Sequence, residues 1–328
     1  MLTVLFLLSL GWCEKHPAFQ WKKDGVTQNG FLVHDRHVGD NWYRDQKDGK
    51  SGALDLDYEN DVGVTVSGGT LTQRLVSNYS WNNKTVVGSR LYIMTADEKK
   101  YEKFNLTGKE FTFTVNLAQI PCGVNAALYT VEMPADGIDA TDQTQGAPYG
   151  YGYCDANCVD GGCCPEFDGI EATSKALVFT THTCSGTGSG RGGYTGCDTS
   201  GCGYNPYRDD NNHSFWTSSV NLAQPVTIVT QFQTNGDVTR KYIQNGNPID
   251  GGTLNQSRCS GKQNMTSTFS RGHVVVFSLW DSDGMSWLDG GNAGPCTSYN
   301  IKDVETRTPN LTVTWSDVKF GNIGSTTN

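Results

Sequence analysis

The 328-residue chain carries 39 glycines, about 12% against a usual ~7%, and only 18% charged residues, which implies many turns and few helices. Its 8 Trp, 14 Tyr and 13 Phe exclude a disordered acidic chain and supply a large core. Lys and Arg number 25 against 34 Asp and Glu; the net charge of −9 lacks the basic footprint that DNA or RNA requires, so no nucleic-acid partner is expected.

The chain opens on an apolar run, MLTVLFLLSLGW, from Met1 to Trp12. A bilayer needs roughly 20 residues, so this run is read as a secretory signal, although it has no basic start; the alternative is a buried first strand. Cleavage after Cys13 leaves ten of the eleven cysteines, an even number suited to five bridges. The expected division is a signal over 1–13 and one domain over 14–328. Sequons at Asn78, Asn83, Asn105, Asn212, Asn255, Asn264 and Asn310 agree with an oxidising export route, hence a secreted, extracellular protein.

Strand alternation dominates the remainder of the chain. The run Asp55 to Glu59 alternates acids and reads as a solvated strand edge, and residues 62–76 read as strands around a Gly-Gly turn. Phe111, Phe113, Val115 and Leu117 occupy every second place, as do Val226, Ile228, Thr230 and Phe232. Residues 273–280 form a continuous apolar run, expected of a strand covered on both faces, and 311–320 adds another strand. This pattern predicts an all-β antiparallel sandwich or barrel without an internal linker. Residues 137–213 differ: seven cysteines lie there among glycine-rich loops, where a functional site is expected.

Within that third, Cys163-Cys164-Pro165 leads into Glu166-Phe167-Asp168-Gly169-Ile170-Glu171-Ala172. On a strand Glu166 and Asp168 share a face, whereas Glu171, five places on, points the wrong way. A β-bulge at Gly169 returns it to that face, with the outer pair roughly 13 Å apart at Cα and their side chains leaning together. Two carboxyls near ~5.5 Å are the geometry of a retaining glycosidase. Clustered acids repel, so at least one is expected to hold a proton near neutral pH. A solvated acidic face or a calcium site remains the alternative reading of the bare motif.

The segment resembles the active-site strand of glycoside hydrolase family 7, the secreted cellobiohydrolases and endoglucanases. Further landmarks of that family run through the chain: Pro121 to Asn125, Gly152 to Cys158, Thr181 to Cys184, Gly201 to Arg208, Ser286 to Asp289, Gly294 to Cys296 and Gly321 to Thr327. The resemblance implies a concanavalin-like β-jelly-roll sandwich of two antiparallel sheets with long disulfide-braced loops. It implies Glu166 as nucleophile, Glu171 as acid/base, Asp168 as the carboxylate that orients the nucleophile, and His182 beside the catalytic subsite. Asn125, Tyr129, Tyr153 and Asp155 resemble the polar wall around the first sugars, Trp287 and Trp42 resemble stacking platforms, and Arg208 resembles a donor to hydroxyls. The implied bridges are Cys122–Cys296, Cys154–Cys164, Cys158–Cys163, Cys184–Cys197 and Cys202–Cys259.

Departures from the family pattern indicate an open groove. Only four residues separate Cys158 from Cys163, the Cys184–Cys197 segment is short, and residues 291–296 lack an arginine where processive members hold product. The expectation is a secreted endo-β-1,4-glucanase that works by double displacement on cellulose or a related β-glucan, with no cofactor, no metal, no membrane association and a monomeric state. No carbohydrate-binding module follows Asn328, so crystalline cellulose is expected to be a poor substrate. The alternatives are a cellobiohydrolase or mixed-linkage glucanase of the same family, or a lectin-like sandwich that binds glucan without cutting it. Gly188 to Gly193 matches G-x-G-x-x-G but opens no helix, so dinucleotide binding is not expected, and the clustered cysteines read as disulfides rather than a zinc site.

Overall fold

The computed structural model describes residues 15–35, 56–80, 83–138, 146–186, 193–260 and 265–327. The apolar run at 1–12, Cys13, Trp42 and Asn264 lie outside the described residues.

Period-two patterning becomes two packed β layers. The inner layer runs in the order Cys202–Tyr204, Leu177–His182, Glu166–Ala172, Val124–Val131, Val274–Asp281, Ser89–Met94 and Val26–His34. The outer layer runs Ala18–Lys23, Thr312–Asn322, Lys109–Asn116, Val226–Phe232, Val238–Gln244 and Asn247–Leu254, with the hairpin Val64–Ser67/Thr70–Arg74 beside Thr312–Asn322. The two layers form one unbroken hydrogen-bonded path, because the hairpin turning at Asp24-Gly25 places Ala18–Lys23 in one layer and Val26–His34 in the other. Every pairing between these strands is antiparallel except that of Ala18–Lys23 with Thr312–Asn322, where Lys22 faces Lys319.

The core lies between the layers. Phe277 of the inner layer and Phe113 of the outer layer both pack on Trp315, with ring centroids 5.8 and 6.0 Å away, and the indole Nε1 donates to Gln73 Oε1 at 2.7 Å. Phe167 makes an edge contact with Phe232 across the layers at 5.1 Å. Val274 and Val276 face a second cluster with Tyr92, Tyr101 and Tyr153, while Val275, Phe277 and Leu279 face the main core. The continuous apolar run is thus a strand covered on both sides, as its sequence predicts.

All ten described cysteines are bridged, in the five pairs implied by the family resemblance. One expectation fails. Tyr58–Val62 is a short helix rather than a strand edge: Asp57 caps its first turn by accepting from Asn60 N, and Gly63 closes it in the left-handed conformation. Local side-chain capping outweighs alternation over so short a stretch.

Trp315 is fully buried and has a hydrogen-bonded indole. Its replacement by alanine is expected to cost about 3–5 kcal/mol of unfolding free energy, read by chemical denaturation; a loss under about 1 kcal/mol contradicts its place at the centre of the core.

Candidate active site

The strand Glu166–Ala172 divides its side chains between two environments. Phe167, Ile170 and Ala172 enter the main core, while Glu166, Asp168 and Glu171 line a cleft of about 960 Å³. A bulge makes this division possible. Asp168 lies opposite Tyr129 and Ile170 opposite Leu128, so Gly169 is the extra residue. On the other side Asp168 faces Thr180 and Glu171 faces Val178. A Cβ at 169 would lie 2.7 Å from the Leu128 carbonyl oxygen, which explains the glycine.

Each acid has its own partners. Glu166 Oε2 accepts from the backbone N–H of Ala156 at 2.9 Å. Ala156 lies on the loop that Cys154–Cys164 and Cys158–Cys163 tie to the start of the strand, so these bridges carry the donor to the acid. Glu171 Oε1 accepts from Asn125 Nδ2 at 2.9 Å, while Asn125 Oδ1 accepts from Ala172 N at 3.1 Å, a pair of bonds that fixes the amide's orientation. Asp168 Oδ2 lies 3.0 Å from His182 Nε2, and His182 Nδ1 lies 2.7 Å from the Asp198 carbonyl. A carbonyl and a carboxylate both demand an N–H, so the ring satisfies them together only as imidazolium.

Protonation follows this arrangement. Burial works against the charge on His182, but the hydrogen bond and charge of Asp168 outweigh it and hold the histidine up at about 9. Burial, then the charge of Asp168, pushes Glu171 up to about 8 against the opposing pull of Asn125 and His182. Burial, with Asp168 and Asp155 adding to it, also pushes Glu166 well above the usual carboxylate range. Asp155 is raised chiefly by burial, opposed by Arg90. The cluster therefore takes up protons that separate carboxylates would release.

The other residues read from the sequence fall into two groups. Tyr129, Tyr153 and Asp155 are buried beside the acids: the two hydroxyls lie 2.9 Å apart, and Tyr153 donates to Asp155 Oδ2 at 3.0 Å. The Arg90 guanidinium carbon sits 3.4 Å from the Tyr153 ring centre. Trp287, 46% exposed, lines the cleft, as does Arg208, whose fork pairs with Asp209 and reaches the Gly203 carbonyl. Trp42 lies outside the described residues. Sequence reading missed Trp280 and Arg258, which also line the cleft. Trp280 ends the apolar run 273–280 and looks like core, although its position just before Asp281 and Asp283 marks where that strand leaves the core.

This arrangement can hold a sugar ring over paired acids, with aromatic faces beside it. The family model described as glycosyl hydrolase family 7 matches residues 45–161, 159–259 and 251–327. The endoglucanase EG-1 of Hypocrea jecorina is 37% identical over 301 residues, covering 81% of this chain; the chain spans 64% of that protein's length. The probable endo-beta-1,4-glucanase celB of Neosartorya fischeri is 36% identical over 313 residues, covering 82% of this chain and 76% of its own. The solved structure of Humicola insolens endocellulase EGI superposes with a TM-score of 0.81 at 28% identity, over 96% of this chain and 99% of that one.

A group raised on folding stabilises the protein below its unfolded value and ceases to do so above its folded one. The contribution of Glu171 is therefore full below about pH 4.5 and disappears as pH rises through about 8. Glu171→Gln is expected to flatten the fall of unfolding free energy across that window, by at most about 1.4 kcal/mol per pH unit, in denaturation curves taken at several pH values. An unchanged slope contradicts the assignment.

Proposed function

The chain belongs to glycosyl hydrolase family 7, and we propose that it is an endo-β-1,4-glucanase that cleaves internal bonds of cellulose or a related β-glucan with retention of configuration. One observation carries this reading: three carboxylates on one face of a bulged strand, facing a cleft with Trp280 and Trp287 beside them. A lectin-like sandwich has no need of buried acids raised above their usual range.

In the first step a Glu166 oxygen attacks the anomeric carbon while the bond to the leaving oxygen breaks. That oxygen takes the proton of Glu171, which burial keeps neutral to about pH 8. Glu166 must itself be ionised when it attacks. The Ala156 N–H favours its charged form, and the proton that the cluster retains then resides on Glu171. His182, as imidazolium, holds Asp168 beside the nucleophile. In the second step Glu171, now a carboxylate, takes a proton from water; the water oxygen bonds to the anomeric carbon, the ester breaks and Glu166 leaves as carboxylate. Asn125 steers Glu171 through both steps.

Endo attack is supported by the names of the relatives and by short loops. A single turn, Val159–Gly161, fills the Cys158–Cys163 loop, and Cys184 pairs directly opposite Cys197 in a small hairpin. Five disulfides favour a secreted protein. No described helix is long and apolar enough to cross a membrane. The signal segment, the single catalytic domain, the monomeric state and the absence of a cofactor belong to the same reading.

On carboxymethylcellulose the viscosity is expected to fall well before many reducing ends appear, and Glu166→Gln is expected to abolish both changes. A release of cellobiose in step with viscosity transfers the protein to the cellobiohydrolases. Binding without cleavage overturns the enzymatic reading. The alkaline limb of kcat/KM is expected near pH 8, where Glu171 loses its proton; a limb that persists unchanged in Glu171→Gln removes the acid from its role.

A further inference from the structure

Arg240 is the one arginine among the described residues that lies at 0% exposure between the two layers. It belongs to the outer-layer strand Val238–Gln244, and its side chain crosses the core to the inner layer. Its Nη2 donates to the carbonyl of Gly169 at 2.6 Å, and its guanidinium carbon lies 4.3 Å from the centre of the Phe179 ring. Nε and Nη1 make no well-formed hydrogen bond among the described residues, although the Tyr242 hydroxyl lies close enough to act on the guanidinium. Burying such a cation for a single hydrogen bond is unfavourable, so an apolar residue of similar volume would serve the core at least as well.

What the side chain touches accounts for it. Gly169 is the extra residue of the bulge, and Phe179 stands across from it, between the positions facing Asp168 and Glu171. The guanidinium therefore grips both sides of the irregularity. The neighbouring strand makes room for it: a Cβ at Gly251 would lie 2.4 Å from Arg240 Cγ. We propose that Arg240 is a positioning residue that holds the bulge carbonyl of Gly169 and so fixes where Glu171 stands relative to Glu166. This rests on the reading of those two acids as a catalytic pair. Without the grip the Gly169 carbonyl loses its guanidinium donor, and the extra residue is free to shift within the bulge while Phe167, Ile170 and Ala172 stay in the core. That shift would move the Glu171 carboxyl relative to Glu166 while leaving it in the cleft.

The test uses aryl β-cellobiosides, for which kcat/KM reports the glycosylation step. Dinitrophenolate departs without a proton, whereas phenolate needs the acid. Arg240→Met is expected to lower kcat/KM for the phenyl substrate about 100-fold, as a misplaced catalytic group does, and for the dinitrophenyl substrate less than about 3-fold. Arg240→Lys, which retains a donor, is expected to recover most of the phenyl activity. An equal loss across the series, or no loss at all, overturns the proposal. The crystal structure of Arg240→Met decides independently of activity: a Gly169 carbonyl and a Glu171 carboxyl displaced from their wild-type positions support the grip, and an unchanged bulge refutes it. If the wild type cleaves none of these substrates, the glucanase reading falls, and the geometry of the bulge in that variant still settles the role of Arg240.

Discussion

Two acids five residues apart cannot share a face of a regular strand, and the rest of the site depends on how the chain escapes that rule. The extra residue at Gly169 shifts the alternation once, so that Glu166, Asp168 and Glu171 face the cleft while Phe167, Ile170 and Ala172 stay in the core. Both halves of the pattern are anchored by packing. Phe167 locks into Phe232 and Phe269 before the bulge, and Ile170 and Ala172 enter the same core after it. A slip on either side would place carboxylates in the core, at a cost that no other contact offsets.

The same strand concentrates negative charge in a buried place. The structure answers with His182 against Asp168, Arg90 near Asp155, and polar donors from Ala156 and Asn125. These partners do not neutralise the cluster, and protons remain on it at neutral pH. The loops that supply them are themselves held down. Two disulfides tether the Ala156 loop, and Glu132, buried just past the end of the central strand Val124–Val131, binds Arg271 at 2.6 Å and the Tyr194 hydroxyl at 2.7 Å. Tyr194 belongs to the hairpin that leads to Asp198, whose carbonyl orients His182. Electrostatics at the acids is thus a product of loop anchoring some distance away.

Much of this was legible in the sequence because period-two patterning and glycine placement are local. The two-faced strand, its bulge and the doubly covered run 273–280 follow from spacing alone, whereas the bridge pattern and the roles of the acids came only through family resemblance. The unread parts depend on long-range geometry. Arg240 lies in a strand on the opposite layer, 71 residues from the carbonyl it meets, and nothing around it in sequence marks it. The donors to Glu166 and His182 are backbone groups, of Ala156 and Asp198, which leave no side-chain signature. Trp280 was hidden inside an apolar run, and Asp57 turned an apparent strand edge into a helix through one capping bond. Tyr129, Tyr153 and Asp155 were expected at a sugar-facing wall; they are buried next to the acids and linked to one another by hydrogen bonds.

The central claim is that Glu166 forms a covalent bond to sugar while Glu171 exchanges protons. A 2-deoxy-2-fluoro-β-cellobioside with a dinitrophenyl leaving group slows both steps but lets the first proceed, so the intermediate accumulates. Mass spectrometry of the digested protein is predicted to find one fluorocellobiosyl group, carried by Glu166. A label on Asp168 or Glu171, or an unlabelled protein that turns the substrate over with inversion, would contradict the account.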